Sequence, residues 1–299
     1  MKKLMIVGAA ALCATVGFGA LESDNIVGYY DTALTNSIYA PVGACFMSVG
    51  QTSFRLGDIV PEDGTLNATG EYLQEFDPLT GAIGEKYFYV DATTARNTRP
   101  MSRWTDPTVA IGWWKDGYRS KFTNAGPGEA ERADDVTFAA GSGFYSNFSE
   151  KKAKLQFKGE VVMDELQISL TNKIYAPVIN YLPRTITLGE IVPEEGTLNA
   201  TGEYLQEFDP LTGAIGEKYY YVDATTARNT RPMSRWTDPT VAVGWWKDGY
   251  RSKFTNAGPG DAERADNVEI KPGAGLYSNF SEKKAKLNFP KAVPAPAQD

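Results

Sequence analysis

A near-perfect internal duplication constrains this chain more than any other feature. Residues 64–136 align without a gap with residues 196–268, at an offset of 132, and only four of the 73 pairs differ. A second identical stretch pairs Tyr145–Leu155 with Tyr277–Leu287. Each copy spans about 130 residues, an ordinary domain size and far longer than the unit of a solenoid. We therefore predict two copies of one globular domain in tandem.

The two copies diverge at their amino-terminal ends. Ile38–Val42 matches Ile174–Val178, but here the offset is 136, so the second copy is four residues shorter near residues 43–54. A recent duplication, or the exchange of one block of DNA, produces such a sharp boundary without selection for a site. Identity between the copies therefore indicates a shared fold and a shared surface, and it does not locate a functional site.

The chain begins like a secretory signal peptide. Residues 1–3 carry two lysines, an apolar run occupies residues 4–18, and the small residues Gly19 and Ala20 precede a polar stretch. That order is typical of a cleaved signal, and the apolar run is too short for a comfortable membrane span. We expect an exported protein located in the periplasm, at the cell surface or outside the cell.

These features divide the chain into four parts. Residues 1–20 form the predicted signal peptide, residues 21–160 the first β domain (unit 1) and residues 161–289 the second (unit 2). Residues 290–299 are rich in proline and alanine. We expect that last segment to be a flexible tail, because it has too few apolar side chains to pack.

Charge and cysteine content narrow the range of partners. The formal net charge is −7, and loss of Lys2 and Lys3 with the signal would make it −9. An acidic chain lacks the basic surface that recruits nucleic acid, so we expect no nucleic-acid partner. No later segment has the roughly 18 apolar residues of a spanning helix, so we expect no membrane span. Cys45 is the one cysteine after the signal, which predicts a buried small hydrophobic residue and no internal disulfide.

Each unit has the pattern of an all-β domain. Glu71–Phe76 alternates, residues 77–81 contain the Pro and Gly of a tight turn, and Lys86–Val90 returns as the partner strand. Trp113–Arg119 predicts a second hairpin, because Asp-Gly favours a two-residue turn. Further short strands are expected at residues 38–42, 55–59, 143–147 and 153–157, with one turn of helix near 129–134. We predict a small β-sandwich or an open barrel in each unit.

Several short motifs occur in one order along unit 1. They are Asn25–Tyr29, Leu56–Ile59, Asp77–Gly81, the pair Trp113-Trp114 and Gly141–Tyr145. In that order the sequence resembles a family of secreted β-domain proteins from bacteria of the Verrucomicrobia and Lentisphaerae type. Unit 2 lacks the first motif but keeps Leu188–Ile191 and Gly273–Tyr277. The resemblance implies an envelope or extracellular structural module without catalysis.

The residue types that carry most enzyme chemistry are missing. The chain has no histidine, which excludes Ser-His-Asp and Cys-His catalysis and histidine-based zinc sites. No Gly-rich phosphate loop follows a strand and opens a helix, and a lone cysteine cannot make a structural metal site. We therefore expect no enzyme activity, no cofactor and no metal.

Two weaker possibilities remain. Glycoside hydrolysis needs only a pair of carboxylates, and Glu71 and Glu75 lie on one face of a predicted strand. We interpret them as solvated charges at a strand edge. Residues 61–67, repeated at 193–199, place oxygen ligands around a glycine as calcium loops do, but their alternation does not fit an EF-hand. An ordinary polar turn is the favoured interpretation.

Tryptophans and arginines provide the candidate binding residues. Adjacent Trp113 and Trp114 point to opposite faces of a strand, so we expect one in the core and one outside. The outer indole, with Tyr118, is suited to stack on a sugar or a partner, although packing in the core is the simpler alternative. Residues 96–103 form the densest basic stretch of an acidic chain. That stretch predicts either a salt-bridged or solvated loop, or a surface for an acidic glycan or a neighbouring acidic subunit.

The candidate site occurs twice because of the duplication. In unit 1 it comprises Trp113, Trp114, Tyr118, Arg96, Arg99 and Arg103, and in unit 2 it comprises Trp245, Trp246, Tyr250, Arg228, Arg231 and Arg235. We expect a secreted or cell-envelope structural or interaction protein whose partners are envelope polysaccharide or other copies of itself. A tandem carbohydrate-binding protein is the alternative, and a glycoside hydrolase is the least favoured.

Overall fold

A computed structural model describes residues 27–292, except 49–50, 67–69, 78–79, 81, 163–164, 199–201 and 210–211. For residues 27–39, 149–152, 171–175 and 281–284 it describes the backbone only. The predicted signal peptide, residues 1–20, and residues 293–299 of the predicted tail lie outside the described residues.

Strands dominate the described part of the chain, which confirms the all-β prediction. In unit 1 they are β1 (Val27–Gly43), β2 (Ser53–Arg55), β3 (Ile59–Pro61), β4 (Tyr72–Phe76), β5 (Ile83–Val90), β6 (Gly112–Lys115), β7 (Thr137–Ala139) and β8 (Gly143–Glu160). In unit 2 they are β9 (Leu166–Ile179), β10 (Ile186–Thr187), β11 (Val192–Pro193), β12 (Tyr204–Phe208), β13 (Ile215–Val222), β14 (Gly244–Lys247), β15 (Glu269–Ile270) and β16 (Gly275–Phe289).

Helices are short and occur at equivalent places in the two units. The α-helices are α1 (Ala92–Asn97), α2 (Tyr118–Lys121), α3 (Ala224–Asn229) and α4 (Tyr250–Lys253). Turns of 3-10 helix lie at Leu56–Asp58, Met101–Arg103, Pro107–Ala110, Leu188–Glu190, Met233–Arg235 and Pro239–Ala242. Within the described residues, no helix has the length and apolar character needed to cross a membrane.

The two units have the same sheet topology. Unit 1 contains a six-stranded antiparallel sheet in the order β1-β8-β4-β5-β6, with β3 also paired to β8. Unit 2 repeats it as β11-β16-β12-β13-β14, with β9 paired to β16. A two-stranded sheet accompanies each, β2 with β7 and β10 with β15. The predicted hairpin at residues 71–90 is confirmed, since β4 and β5 are consecutive strands and pair antiparallel.

The last strand of unit 1 is longer than the sequence pattern predicts. Residues 143–147 and 153–157, expected to be two short strands, belong to one strand, β8. Its first part pairs with β4 and the end of β1, and its last part pairs with β3 and the start of β1. The register between β1 and β8 shifts at two places, as bulges allow, so one strand contributes to both ends of the sheet.

The second predicted hairpin is wrong. Gly117 has the positive φ of 75° that an Asp-Gly turn requires, but the chain continues into α2 instead of a returning strand. Tyr118 and Phe122, four residues apart, are both buried, and that spacing places them on one face of a helical turn. β6 therefore pairs with β5. The helical turn expected at residues 129–134 is also wrong, because Arg132 forms a β-bridge there with Trp114.

Cys45 lies in the main core of unit 1, as predicted. Its side chain is fully buried, and burial raises the pKa of the thiol to about 12. The aligned residue of unit 2, Tyr181, is also fully buried and packs against Phe289. The two amino-terminal segments therefore fill the same region of the core with side chains of different size.

The two units contact each other through equivalent surfaces. A Cβ added to Gly143 of unit 1 would lie 2.7 Å from the Cβ of Pro177, and one added to Gly275 of unit 2 would lie 2.7 Å from the Cβ of Pro41. The contacts are reciprocal, because Gly143 corresponds to Gly275 in the repeat and Pro41 to Pro177. Reciprocal contacts of this kind define an approximate two-fold axis between the units.

Apolar side chains continue across this junction. Ala40, Phe76 and Tyr145 of unit 1 belong to the same buried cluster as the core of unit 2, which includes Tyr277. A β-bridge also connects Val42 with Ala274. The units are thus joined by a packed interface in addition to the chain between them.

The start of the predicted tail is packed against unit 2, contrary to the expectation for residues 290–299. Ala292 is buried, and its carbonyl oxygen accepts a hydrogen bond from Nε of Arg184 at 3.1 Å. The same guanidinium donates to the carbonyl of Lys291 at 3.3 Å. An arginine in the divergent segment therefore holds the first residues after β16.

Candidate binding surfaces on the two caps

A helical layer covers one face of each six-stranded sheet. In unit 1 this layer consists of α1, the two 3-10 turns that follow it and α2; we call it cap 1 (residues 91–111 and 117–123) and its equivalent in unit 2 cap 2 (residues 223–243 and 249–255). Cap 1 and the strands beneath it enclose a small core formed by Val90, Ala95, Met101, Trp104, Ala110, Trp114, Tyr118 and Phe122. Cap 2 encloses the equivalent eight residues.

Both tryptophans of the adjacent pair are buried. Trp113 and Trp114 do point to opposite faces of β6, since Trp113 belongs to the main core of unit 1 and Trp114 to the core under cap 1. Trp113 is 0% exposed and Trp114 2%, and Trp245 and Trp246 are equally buried. The expectation of one outside tryptophan is therefore wrong, because the cap covers the second face of the sheet.

The indole N–H groups of unit 1 are bonded inside the protein. They donate to backbone carbonyls in three pairs, Trp113 to Ile59 at 2.7 Å, Trp114 to Ala110 at 2.8 Å and Trp104 to Thr123 at 2.7 Å. The tryptophans of unit 2 make the same three bonds. These side chains fix the caps onto the sheets and present no ring to a ligand.

Tyr118 and Tyr250, the tyrosines of the predicted site, are framework residues as well. Tyr118 is 2% exposed, and its ring stacks on Trp114 with centroids 6.3 Å apart. Burial raises the pKa of Tyr118 to about 12. Tyr250 is buried in the same way beside Trp246. The aromatic half of the predicted site is therefore structural in both units.

One arginine outside the predicted set secures each cap. The guanidinium of Arg132 lies over the ring of Trp114, 4.9 Å from its centroid, and is paired with Asp134. It also donates to the carbonyl oxygens of Val109, at 2.6 Å, and of Ile111. In unit 2, Arg264 lies over Trp246 and pairs with Asp266. The pattern Arg-Ala-Asp after the tryptophan pair is the sequence signal for this clamp.

A carboxylate fixes the start of each cap. Oδ1 of Asp91 accepts the N–H of Thr94 at 2.6 Å as the N-cap of α1, and its Oδ2 accepts the N–H of Gly64 at 2.8 Å. Asp63 in turn accepts from both the N–H and the hydroxyl of Thr93. The loop considered above as a calcium loop thus docks onto α1 through its own acid. Within the described residues, no cluster of three or more acidic or cysteine side chains is placed to hold a metal ion.

The arginines of the predicted site are exposed on the outer surface of each cap. Arg96 lies in the last turn of α1, and Arg99 and Arg103 flank the buried Met101, which anchors this segment to the core. The bond between Arg99 and Pro100 is cis. Arg228, Arg231 and Arg235 are exposed in the same way on cap 2. We call the two sets arginine surface 1 and arginine surface 2.

These arginines have no acidic partner among the described side chains. The ion pairs found there involve other cations, such as Lys115, Lys154 and Arg132. One member of the two sets, Arg235, donates to the neutral amide oxygen of Asn256 at 3.5 Å. The described structure therefore does not contain the salt-bridged loop that was one alternative for residues 96–103. The caps present unneutralised positive charge on an acidic protein.

The carboxylate pair considered for glycoside hydrolysis lies elsewhere, on the sheet. Glu71 is 1% exposed, so the expectation that it is a solvated edge charge is wrong. Glu75 is half-buried and accepts the hydroxyl of Tyr87 at 3.3 Å. The equivalent glutamate in unit 2, Glu207, accepts the hydroxyl of Tyr219 at 2.6 Å. At Glu75 and Glu207 the carboxylates are thus bound to neighbouring strands.

Comparison with known proteins identifies no relative. No protein-family model, no curated protein sequence and no solved structure matches the chain.

Proposed function

We propose that this is an exported, non-catalytic binding protein of the cell envelope, and that its two arginine surfaces bind an acidic polysaccharide. The observation that carries the proposal is the exposure of three arginines on each cap without acidic partners in the described structure. In an acidic chain, solvated cations gathered on one surface favour contact with a polyanion. Guanidinium groups bind carboxylates through paired hydrogen bonds, so an acidic glycan fits better than a neutral one.

The rigidity of the caps supports this role. Each arginine surface is mounted on a layer fixed by buried tryptophans and by the Asp91 or Asp223 N-cap. Side chains held on a fixed backbone lose less entropy on binding than side chains on a mobile loop. Neutral-sugar recognition by stacking has less support, since the exposed large hydrophobic side chains of the described part are all aliphatic.

Because the arginine surface occurs twice, the full chain should bind a polymer more strongly than a single surface does. When one surface has bound a polymer, the second contact becomes intramolecular, and such linkage strengthens binding by about 10²- to 10⁴-fold over one site. Retention of the full chain on immobilised polygalacturonate is the test. Neutralising one surface (R96Q/R99Q/R103Q) should weaken retention by at least roughly tenfold, and neutralising both should abolish it.

Matched variants separate this site from bulk charge. R99Q/R231Q and K154Q/K286Q remove the same charge, but Lys154 and Lys286 are already paired with Glu62 and Glu194, at 2.9 Å each. Only the arginine variant should lower retention, and uncharged dextran should retain neither. Equal losses for the two variants would reduce the effect to net charge. Undiminished retention after both surfaces are neutralised would refute the proposal.

A further inference from the structure

A cleft of about 500 Å³, lined largely by residues with polar side chains, lies in unit 1 beside the two-stranded sheet of β2 and β7. Its lining includes Ser48, Gln51, Ser53, Arg55, Asp58 and Lys158. The side chains of Arg55 and Lys158 are exposed, while Ser48 is buried at the inner wall. The cleft lies in the segment where unit 1 has four residues more than unit 2.

The equivalent place in unit 2 is differently built. In unit 1 the hydroxyl of Ser48 donates to Asp58. At the equivalent place in unit 2, Nη2 of Arg184 donates to Oε1 of Glu190 at 2.7 Å. The two cations of the cleft are also missing, because Thr187 and Pro290 occupy the repeat positions of Arg55 and Lys158. A long arginine side chain, held by Glu190 and by two backbone carbonyls, fills the space that Ser48 leaves open.

The backbone of unit 1 is specialised for the cleft. Met47 and Glu160 exchange backbone hydrogen bonds of 2.8 and 2.7 Å across its floor. This pairing requires Gly159, whose φ is 151° and where any Cβ would overlap the carbonyl oxygen of Met47. The repeat position in unit 2 is Lys291, and among the described residues no backbone pair like that of Met47 and Glu160 is found there. The glycine and the two cations of the cleft thus occur together in unit 1, and all three are replaced in unit 2.

Electrostatics identify the class of ligand. Both oxygens of Asp58 are bonded within the cleft, Oδ2 by the hydroxyl of Ser48 at 2.5 Å and the N–H of Arg55 at 3.0 Å, and Oδ1 by the Arg55 guanidinium at 3.4 Å. The acid is therefore occupied and unsuited to bind a cation. Asp135, 3.7 Å from Arg55, is 93% exposed and largely screened. Lys158 has no acidic partner among the described side chains, and the five N–H donors of Arg55 exceed those that face these two acids, so both cations can still meet an anionic ligand.

We infer that the cleft of unit 1 binds a small carboxylate that carries hydroxyl groups, such as a single sugar acid. Arg55 and Lys158 bind the carboxylate, and the amide of Gln51 and the hydroxyls of Ser53 and Thr137 bind ligand hydroxyls as donors or acceptors. The site occurs once per chain. It is independent of the arginine surfaces, which occur twice and lie on the caps.

Calorimetric titration of the full chain with sodium glucuronate tests the inference. We expect one glucuronate per chain, with glucose and acetate each binding at least roughly tenfold more weakly, because each lacks one half of the recognised chemistry. R55T, which introduces the residue of unit 2, and K158Q should each weaken binding roughly tenfold. S48R, which places an arginine where unit 2 has one, should abolish it.

Controls keep the outcome decisive. K286Q in unit 2, where Lys286 is paired with Glu194, should leave glucuronate binding unchanged, and the melting temperature of every variant should show that it is folded. Two glucuronates per chain, no glucuronate binding, equal binding of acetate, or full binding by R55T and S48R would each overturn the inference. Because these readouts do not involve the arginine surfaces, failure here leaves the polysaccharide proposal standing, and the reverse also holds.

Discussion

Units 1 and 2 are nearly identical within the duplicated block, residues 64–136 and 196–268, and they differ in the segments that precede it. Within the duplicated block the geometry agrees closely: Asp91 and Asp223 accept the N–H of Thr94 and Thr226, each at 2.6 Å. Before the block, unit 1 fills its core with Cys45 and its neighbours, and unit 2 with Tyr181 and Leu182. The cap is therefore specified by its own sequence, while the amino-terminal segment determines which cavities each unit contains.

The largest test of this comparison is removal of the indole under each cap. Trp114→Ala and Trp246→Ala should each destabilise their unit by about 3–5 kcal/mol, because a large buried ring is lost and a cavity remains. If the duplicated block is self-sufficient, the two losses should be equal in urea denaturation of the full chain. Val109→Ala, at a half-exposed position of cap 1, is the control and should change little. A much smaller loss in one unit would break the equivalence of the caps.

A second test addresses the region where the units differ. Gly159→Ala should cost about 2 kcal/mol, since the new Cβ meets the carbonyl of Met47 and the φ of 151° is strained for alanine. Lys291→Ala, at the repeat position in unit 2, should have almost no effect. Thermal denaturation of both variants measures the difference. Equal effects would show that the floor of the cleft is not specific to unit 1.

Sequence reasoning succeeded where local signals decide the structure. The Pro and Gly in residues 77–81 of the sequence predicted the β4–β5 hairpin, and Trp113 and Trp114 were correctly placed on opposite faces of a strand. What covers the outer face was not predicted, because cap 1 is assembled from segments that pack together only in three dimensions. The hairpin predicted from Asp116-Gly117 was wrong because the positive φ of Gly117 is compatible both with a hairpin turn and with the start of α2.

In the candidate site, the exposure of the arginines was predictable from the sequence, and the burial of the aromatic residues was not. Exposure of the arginines follows from their local sequence, since the buried positions are taken by Ala95, just before Arg96, and by Met101, between Arg99 and Arg103. Burial of Trp114 and Tyr118 depends on the whole cap and could not be deduced from residue spacing. In the sequence, the only sign of the cleft in unit 1 is the four-residue length difference near residues 43–54. The cleft could not be predicted from it, because the lining also needs Lys158, which is more than a hundred residues away in the chain.

A third, smaller effect is expected at the N-caps. Asp91→Ala and Asp223→Ala should each lose about 1 kcal/mol or somewhat more, because each carboxylate caps a helix and also accepts a loop N–H, from Gly64 or Gly196. Equilibrium unfolding of the two single variants and the double variant provides the measurement. Additive, equal losses would support independent caps, whereas a double variant that loses much less than the sum would mean that the caps are coupled through the junction.

The smallest effect concerns two exposed ion pairs. The hydrogen bond from Lys115 lowers the pKa of Glu131, and Lys247 does the same for Glu263. A carboxyl whose pKa is depressed by folding stabilises the folded state above its ordinary pKa of 4.5, and this contribution is lost as the pH falls through the folded value. E131Q and E263Q should therefore lower the melting temperature slightly and equally at neutral pH. The difference from the parent protein should vanish in acid; a difference that grows in acid would contradict this assignment.

The reciprocal contact between Gly143 and Pro177, and between Gly275 and Pro41, also affects how a directional partner is bound. A polysaccharide strand has distinguishable ends, and two receptors related by a two-fold axis read one strand in opposite senses. Under the proposed function, a single straight strand therefore meets one arginine surface in the direction that this surface prefers and meets the other surface in the opposite direction. Two strands running in opposite directions satisfy both. The proposed function therefore predicts that the protein cross-links antiparallel strands of a polymer.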